Sequence, residues 1–400
     1  MRRCADIRSL VAVALMVSTV MVSTASPDEL VLRDGGGTLI GLSLDMDDSG
    51  ILFRVGHDQA QWITWDRVRS LSAEDETNQA AYQAQAAMAE TLWRARSRVE
   101  RGDSVMAEPL LIPLFETTRG RTDAVALIVA EGLLRCHLAR GDRAAALVPW
   151  LECVRLRQAG LVQTAYASLS PVLDGRTGLC LALPPIWTPG DPNADRAADE
   201  LGRYLVAVPE TESDSESRHL AVLYLSAARG ALADPTRRDR VTADSLFESL
   251  EALANADVRD AGTFVLSLVM AIDTKSLDSQ RATAIRILSR MTREPGRFGQ
   301  WARYATGLAK VRQPGADQRL EGLVDLLSLP ALVTAGEKNV DRILAGLALE
   351  QAAEVLAQDG RSQEAASLRT ELIAIYPDHP VHRRTDITAS NKGPDTENGS

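Results

Sequence analysis

The sequence is poor in the residues that enzymes use most often for covalent or metal-assisted chemistry. It holds only five histidines and four cysteines among 400 residues. It contains neither a Gly-x-x-x-x-Gly-Lys-Ser/Thr phosphate loop nor a His-Glu-x-x-His pair. No histidine flanks a Gly-rich nucleophile turn that could serve a Ser or Cys triad. We therefore expect no catalytic residue, no metal site and no cofactor, that is, a protein that is not an enzyme.

Aromatic residues and clustered cations are also scarce. Aromatics make up 4% of the chain, whereas apolar residues in total make up 45%. A core built mainly of Ala and Leu suits closely packed helices better than a β-sandwich. The net charge is −10 and the arginines are scattered, whereas binding to phosphate backbones needs clustered cations. We expect no nucleic-acid partner.

Long apolar runs are missing outside the N-terminal region. Ser9–Val22 follows three arginines and is too short to remain as a membrane-spanning helix, and small residues follow it at Ser23-Thr24-Ala25. This pattern predicts a signal peptide over residues 1–25, with an uncleaved anchor as the alternative. We expect a chain that is exported to the periplasm or cell envelope, or secreted, without a stable transmembrane segment after cleavage.

Three cysteines would remain after this cleavage. Cys136, Cys153 and Cys180 permit at most one internal disulfide and leave one thiol over. Their spacing matches no zinc pattern. We expect Cys136 and Cys153 to be small packing residues inside helices.

Residues 28–72 have a different texture from the rest of the chain. Apolar and polar side chains alternate there with a period of two, between turns rich in Gly and Asp. A fifth strand should follow a short helical turn at Trp65-Asp66-Arg67-Val68. Five short strands would close into a small barrel that hides its edges. The other four predicted strands are Glu29–Arg33, Thr38–Asp45, Ile51–Gly56 and Gln61–Trp65.

The turn spacing and the Trp65–Val68 segment resemble the small SH3-like barrels found at the start of envelope proteins. The resemblance implies a first domain over residues 28–72. Trp62 and Trp65 are three residues apart, so an unbroken strand would point one inward and the other outward. Packing of both against the core, with a turn between them, is the favoured alternative.

From Glu76 the apolar period changes to 3.6, which predicts helices. The clearest unit is Leu347–Pro377, in which Gly360 separates two helices and Pro377 ends the second. Ala365 follows Gly360 by five residues and precedes Pro377 by twelve. A small side chain is needed there because the two helices cross closely. This frame resembles a tetratricopeptide (TPR) unit.

The same frame recurs upstream, at Gly102-Asp103 and Gly141-Asp142. Together the units are similar to a mainly α, TPR-like α-solenoid of antiparallel helix pairs over residues 76–377, preceded by the small β-barrel. Such an array would form a continuous curved groove. Three further pairs are expected: 217–231 with 243–256, 258–272 with 279–292, and 299–311 with 316–328.

Two stretches do not fit the helical pattern. Residues 173–193 contain Leu183-Pro184-Pro185-Ile186-Trp187, which cannot be helical. This proline-rich loop is expected either to pack between two halves of the array or to act as an interaction lid. The polar tail over residues 378–400 lacks apolar periodicity and is expected to be disordered.

The sequence favours a non-catalytic scaffold that binds a protein or peptide partner of the cell envelope in the helical groove. The alternative is an enzyme or enzyme accessory with a site near the proline-rich loop 173–193 and Cys180. The TPR resemblance implies that the first helix of each pair lines the groove. The candidate partner contacts are these first-helix residues together with one residue of the loop: Arg96, Glu131, Arg135, Glu350, Glu354 and Trp187.

Overall fold

The fold is given by a computed structural model. It describes residues 27–33, 35–161, 166–187, 191–207, 215–232, 250–251, 255–273, 276–294, 296–337, 339–377, 379 and 382. The predicted signal peptide and most of the predicted tail lie outside these residues. The described chain is mainly helical, with a small antiparallel sheet near its N-terminal end. It forms two compact units, one ending at Ala89 and one beginning at Glu90.

The first unit contains a five-stranded sheet. All neighbouring strands are antiparallel, and β1 pairs with both β2 and β5, which gives the order β4-β3-β2-β1-β5. The predicted strands and the short helical turn are confirmed, since a 3-10 turn at Trp65–Arg67 precedes the last strand. The strands are β1 Asp28–Leu32, β2 Thr38–Asp47, β3 Gly50–Val55, β4 Gln61–Thr64 and β5 Val68–Ser72.

The two tryptophans of this unit have different environments. Trp65 is fully buried and its Nε1 donates a hydrogen bond to Asp47 O at 2.9 Å. Trp62 is 47% exposed. The expectation that both rings pack in the core is wrong. Trp62 belongs to a regular strand whose next residue, Ile63, points inward, so alternation turns Trp62 outward.

Twelve helices lie in the described residues, and from the second helix onward each helix contacts the next one along the chain. The predicted pairs 258–272 with 279–292 and 299–311 with 316–328 are confirmed as α7 with α8 and α9 with α10. Residues 243–256 fall largely outside the described residues. The helices are α1 Glu76–Glu100, α2 Ser104–Thr118, α3 Ala124–Ala139, α4 Arg143–Gln158, α5 Pro192–Ala207, α6 Glu216–Gly230, α7 Ala256–Ile272, α8 Asp278–Leu288, α9 Arg297–Val311, α10 Ala316–Thr334, α11 Arg342–Gln358 and α12 Ser362–Ile375.

The Gly-Asp dipeptides end one helix and begin the next. Gly141 has a φ of 71°, which favours glycine, and the Asp142 N–H donates to His137 O at 2.9 Å. The Asp142 carboxylate then accepts from Ala145 N at 3.1 Å, at the start of α4. Gly102-Asp103 has the same arrangement before α2. These turns explain why the helices reverse direction at short intervals.

Four helices of the second unit form a continuous row. Helix α6 contacts α7, α7 contacts α9, and α9 contacts α11. We call these four helices the first-helix row, because α7, α9 and α11 are each the first member of a pair. Within the described ranges, no helix is both long enough and apolar enough to cross a membrane.

The chain after Pro377 remains packed at one point. The His379 ring is buried and its Nε2 lies 2.9 Å from Ile343 O on α11. A Cβ at Gly346 would meet that ring at 2.5 Å, so this glycine leaves room for it. Beyond Pro377 only His379 and His382 are described, and at His379 the chain is packed rather than disordered.

Candidate functional site

Residues 166–187, here called the anchored segment, lie against α3, α4 and α6. A segment without helix or strand leaves backbone carbonyls that need other donors. Here side chains of the helices supply them. The donor–acceptor pairs are Arg135 to Ser170 at 3.1 Å, Arg157 to Asp174 at 2.9 Å, Trp150 to Gly178 at 3.0 Å, Tyr224 to Leu183 at 2.6 Å, and Arg143 to both Pro184 and Ile186.

Trp187 ends this segment and is buried, with 4% of its surface exposed. The Arg143 guanidinium lies 4.7 Å from the centre of its ring. Burial lowers the pKa of Arg143, but an arginine keeps its charge in proteins. The indole Nε1 of Trp187 has no hydrogen-bond partner among the described residues. Trp187 is therefore part of the packing of the segment, and its Nε1–H is a donor without a partner among the described residues.

A pocket opens where the anchored segment meets the first-helix row. The space available to the centres of water molecules is about 40 Å³, which is room for a few waters. Three of the lining residues, Ala231, Asp273 and Arg312, directly follow the last residues of α6, α7 and α9. We call it the row pocket. Its lining consists of Pro185, Trp187, Ser226, Ala227, Gly230, Ala231, Val269, Ile272, Asp273, Tyr304, Leu308, Arg312 and Gln351.

Arg312 is the cation of the row pocket. Its Nη1 donates to Ile272 O, a carbonyl at the C-terminal end of α7, where a positive charge is favoured. Burial lowers the pKa of Arg312, while Tyr304 and Asp273 act in the opposite direction. The pocket thus combines a charged donor, a carboxylate and the Gln351 amide with apolar side chains. It can hydrogen-bond both a C=O and an N–H group.

Glu131 and Arg135 are not on an open groove. Glu131 is 4% exposed, and Arg135 Nη2 lies 2.8 Å from Glu131 Oε1. The Arg135 guanidinium also stacks 5.4 Å from the Tyr166 ring. The anchored segment covers this face of α3, so Glu131 and Trp187 are buried and Arg135 is largely buried. That these three residues contact a partner stays a prediction.

The other three predicted contacts are more accessible: Glu350 and Glu354 lie one turn apart on α11, whereas Arg96 lies on α1. Arg96 pairs with Glu100 at 3.1 Å within α1. Glu350 Oε1 lies 3.9 Å from Nε of Arg369 on α12. Glu354 is exposed and accepts a hydrogen bond from Gln351 at 2.9 Å, which places it beside the row pocket. Arg312, Asp273 and Tyr304 were not predicted from the sequence. The signal available was a charged residue just after an apolar helix.

The three cysteines are free and buried. Burial raises the pKa of Cys136 and of Cys180 to about 12, and it raises that of Cys153 well above its usual value. A thiol reacts as a nucleophile through its thiolate, so these groups are inert at neutral pH. This weighs against Cys180 as the centre of a catalytic site.

A second group of titratable residues lies between α2 and α3. Glu108 Oε2 is 3.0 Å from Arg140 Nη1, and Glu108 Oε1 is 3.5 Å from His137 Nδ1. Burial lowers the pKa of His137, so its ring is neutral at pH 7. Both Glu108 and His137 are buried, which makes them packing residues. Among the described residues, no group of three or more His, Cys, Asp and Glu side chains could hold a metal.

Comparison with known proteins adds no relative to this picture. No protein-family model, no curated protein and no solved structure matches the chain.

Proposed function

We propose that this protein is a non-catalytic binding protein, exported to the periplasm or cell envelope, that holds a segment of a partner polypeptide against the first-helix row. The assignment of the helices as TPR-like and of the sheet as SH3-like is part of the same proposal. The observation that carries it is the row pocket. There, four helices far apart in sequence and the end of the anchored segment meet at one place.

The size of the row pocket favours a polypeptide over a metabolite. Space for a few waters accommodates one side chain, whereas pockets for small molecules usually reach about 300–1,000 Å³. Ala227, Val269 and Leu308 supply an apolar wall. Arg312 can donate to a backbone carbonyl and Asp273 can accept from a backbone N–H. This combination suits an apolar side chain together with the peptide groups beside it.

The enzyme alternative is less well supported by the same pocket. The described lining contains Tyr304, Asp273 and Arg312 but neither a histidine nor a cysteine. The nearest cysteine of the anchored segment, Cys180, is buried and protonated. A base within reach of an activated nucleophile is the arrangement that covalent catalysis requires. We therefore favour binding.

The test uses two matched glycine substitutions. A Cβ at Gly230, which lines the row pocket, would meet no atom within 4 Å, so Gly230→Leu adds a side chain to the pocket without a forced clash. Gly202 on α5 also has no atom within 4 Å and lies outside the lining, so Gly202→Leu is the control. Tagged protein is used to capture partners from its native envelope, after circular dichroism has verified that each variant is folded.

We expect the unmodified protein and Gly202→Leu to retain the same partner. Gly230→Leu should retain about tenfold less, because an apolar anchor can no longer enter. Equal capture by all three proteins would show that the partner does not bind in the row pocket. Turnover of a captured small molecule would support the enzyme alternative instead.

A further inference from the structure

The sheet of the first unit carries large apolar side chains on both of its faces. Its inner face packs Leu30, Ile51, Phe53 and Ile63, all buried. An antiparallel sheet with one face in water normally alternates apolar and polar residues. Here Val31, Leu52 and Trp62, which lie next to the buried residues, are apolar, while Glu29 and Arg54 are charged. Exposed apolar surface of this kind marks a place of interaction.

The outward-facing residues are neighbours across the strands. Leu52 on β3 is paired directly with Trp62 on β4, and Leu42 lies on β2 between the inward-facing Gly41 and Ser43. Ile40 is 60% exposed and Leu44 is 44% exposed. We define the outer apolar face as Ile40, Leu42, Leu44, Leu52 and Trp62.

Strand β4 leaves one edge of the sheet open. It pairs with β3 alone among the described strands. The edge of a sheet presents N–H and C=O groups that a further strand can bind. Trp62 lies on this edge strand, so a strand added there would have its own side chains beside Trp62. The edge and the outer apolar face thus fit the same kind of partner, an extended chain.

The charge of residues 28–72 indicates which kind of extended chain can bind to the outer apolar face. Residues 28–72 contain eight acidic residues and four arginines. Asp45, Asp47 and Asp48 are exposed at the end of the β2–β3 hairpin, and Glu29 is exposed opposite Ile40. Arg54 is the cation on this face, paired with Leu42. Acidic surroundings favour a basic ligand and disfavour an anionic lipid surface.

We propose that the outer apolar face and the β4 edge bind an extended segment of a partner protein in which apolar residues alternate with Lys or Arg. The segment adds to β4 as a strand. Its apolar side chains contact Trp62 and Leu52, and its basic side chains lie near the acidic hairpin. This surface is independent of the row pocket and adds a second contact to the proposed binding function.

The test is a selection of nine-residue peptides from a random library displayed on phage, with the full chain as bait. Trp62→Ala removes the largest side chain of the face. The matched control is Ile373→Ala, which removes another exposed apolar side chain, 62% exposed, on α12. Selected peptides should alternate apolar and basic residues. They should bind Trp62→Ala about tenfold more weakly than they bind the unmodified protein or Ile373→Ala.

Other outcomes would overturn the proposal. Enrichment of acidic peptides, or equal binding to Trp62→Ala, would reject the ligand or the surface. Sedimentation velocity distinguishes a further occupant, because a dimer abolished by Trp62→Ala would assign the face to a second copy of this chain. Gly230→Leu should leave the affinity of the selected peptides unchanged. Loss of binding in that variant would show that the peptides bind in the row pocket. The experiment therefore distinguishes a failure of this proposal from a failure of the proposed function.

Discussion

Gly132 on α3 shows how a single residue controls the packing of the anchored segment. The Tyr166 side chain is fully buried and its hydroxyl donates to Ile128 O at 3.0 Å. A Cβ at position 132 would lie 2.3 Å from the Tyr166 Oη. Alanine is the better helix former, but here its methyl group would displace a buried tyrosine.

Gly132→Ala should therefore lower the free energy of unfolding by about 1–3 kcal/mol, the usual cost of overpacking. The control is Gly202→Ala, where a Cβ meets nothing within 4 Å. That change should raise the free energy of unfolding by about 0.5–1 kcal/mol, because glycine is the weaker helix former. Urea denaturation measures both. A stabilising effect of both substitutions would show that Tyr166 does not pack against α3 in this way.

The buried thiols give a prediction about pH. Because burial raises the pKa of Cys136 and of Cys180 to about 12, their thiolate fraction stays very low up to pH 9. Alkylation of Cys136, Cys153 and Cys180 by iodoacetamide should be slow in the native protein at pH 7 and at pH 9, and complete in urea. Site-resolved mass spectrometry measures the modification. Rapid labelling of Cys180 in the native protein would show that its thiol is reactive after all.

At the scale of an element, the anchored segment is held by Arg143. Its Nη2 donates to both Pro184 O and Ile186 O, and its guanidinium stacks on Trp187. A lysine keeps the charge but lacks the planar group that combines stacking with two hydrogen bonds. The position of Trp187, and with it one wall of the row pocket, depends on this geometry.

Arg143→Lys should lower the free energy of unfolding by about 1–3 kcal/mol, as expected when buried carbonyls lose their donor. Amide exchange in residues 176–187 should increase. Arg203→Lys is the control, since Arg203 is largely exposed and contacts Glu200 and the Asp199 carbonyl of its own helix α5. It should change stability by less than about 0.5 kcal/mol. Equal effects of the two substitutions would contradict the anchoring role of Arg143.

The crossing of α11 and α12 gives a second prediction for an element. Ala365 is buried there, as the TPR-like frame predicted, while its neighbour Ala366 is exposed. Ala365→Leu should overpack the crossing and lower the free energy of unfolding by about 1–3 kcal/mol. Ala366→Leu should leave the midpoint in denaturant nearly unchanged. Similar midpoints in denaturant for both variants would mean that Ala365 is not the residue of α12 that packs against α11.

For the whole molecule, the elements could be predicted from sequence better than their contacts. Period-two alternation identified the strands, and glycine turns such as Gly141 and Gly360 identified helix ends. Helix α5 was missed, although Ala194, Ala197 and Leu201 carry a helical apolar pattern and are buried. The prolines of residues 173–193, just before it, predict a loop, and the helical pattern follows directly after them.

The row pocket could not be predicted because its residues come together only through tertiary packing. Gly230 lies on α6, Arg312 directly follows α9 and Gln351 lies on α11, so tens of residues separate them and no local pattern relates them. The burial of Glu131 has the same cause. Helix periodicity placed it on the first helix of a pair, but only the fold shows that the anchored segment covers that helix.

The boundary between the two compact units lies inside α1. The predicted first domain ends at residue 72 and the helical period begins at Glu76, which puts the predicted seam between the two domains at Ser72–Thr77. The first compact unit, however, extends to Ala89 within α1. The start of α1 belongs to the sheet because Asn78 Nδ2 donates to Ser43 O at 3.1 Å and the Tyr82 hydroxyl donates to Arg69 O at 3.1 Å. The Tyr82 ring also lies 6.4 Å from that of Trp65.

A fragment of residues 28–89 should therefore fold, whereas residues 28–72 alone should not, because so short a chain buries too little apolar surface without the helix. Near-ultraviolet circular dichroism of Trp65 and thermal unfolding measure this, since a buried, fixed indole gives a signal that a flexible one lacks. Tyr82→Ala in the longer fragment should lower its melting temperature, because it removes the ring against Trp65 and the bond to Arg69. Cooperative unfolding of residues 28–72 with the same midpoint as residues 28–89 would restore the seam at Ser72–Thr77 and make the start of α1 dispensable to the sheet.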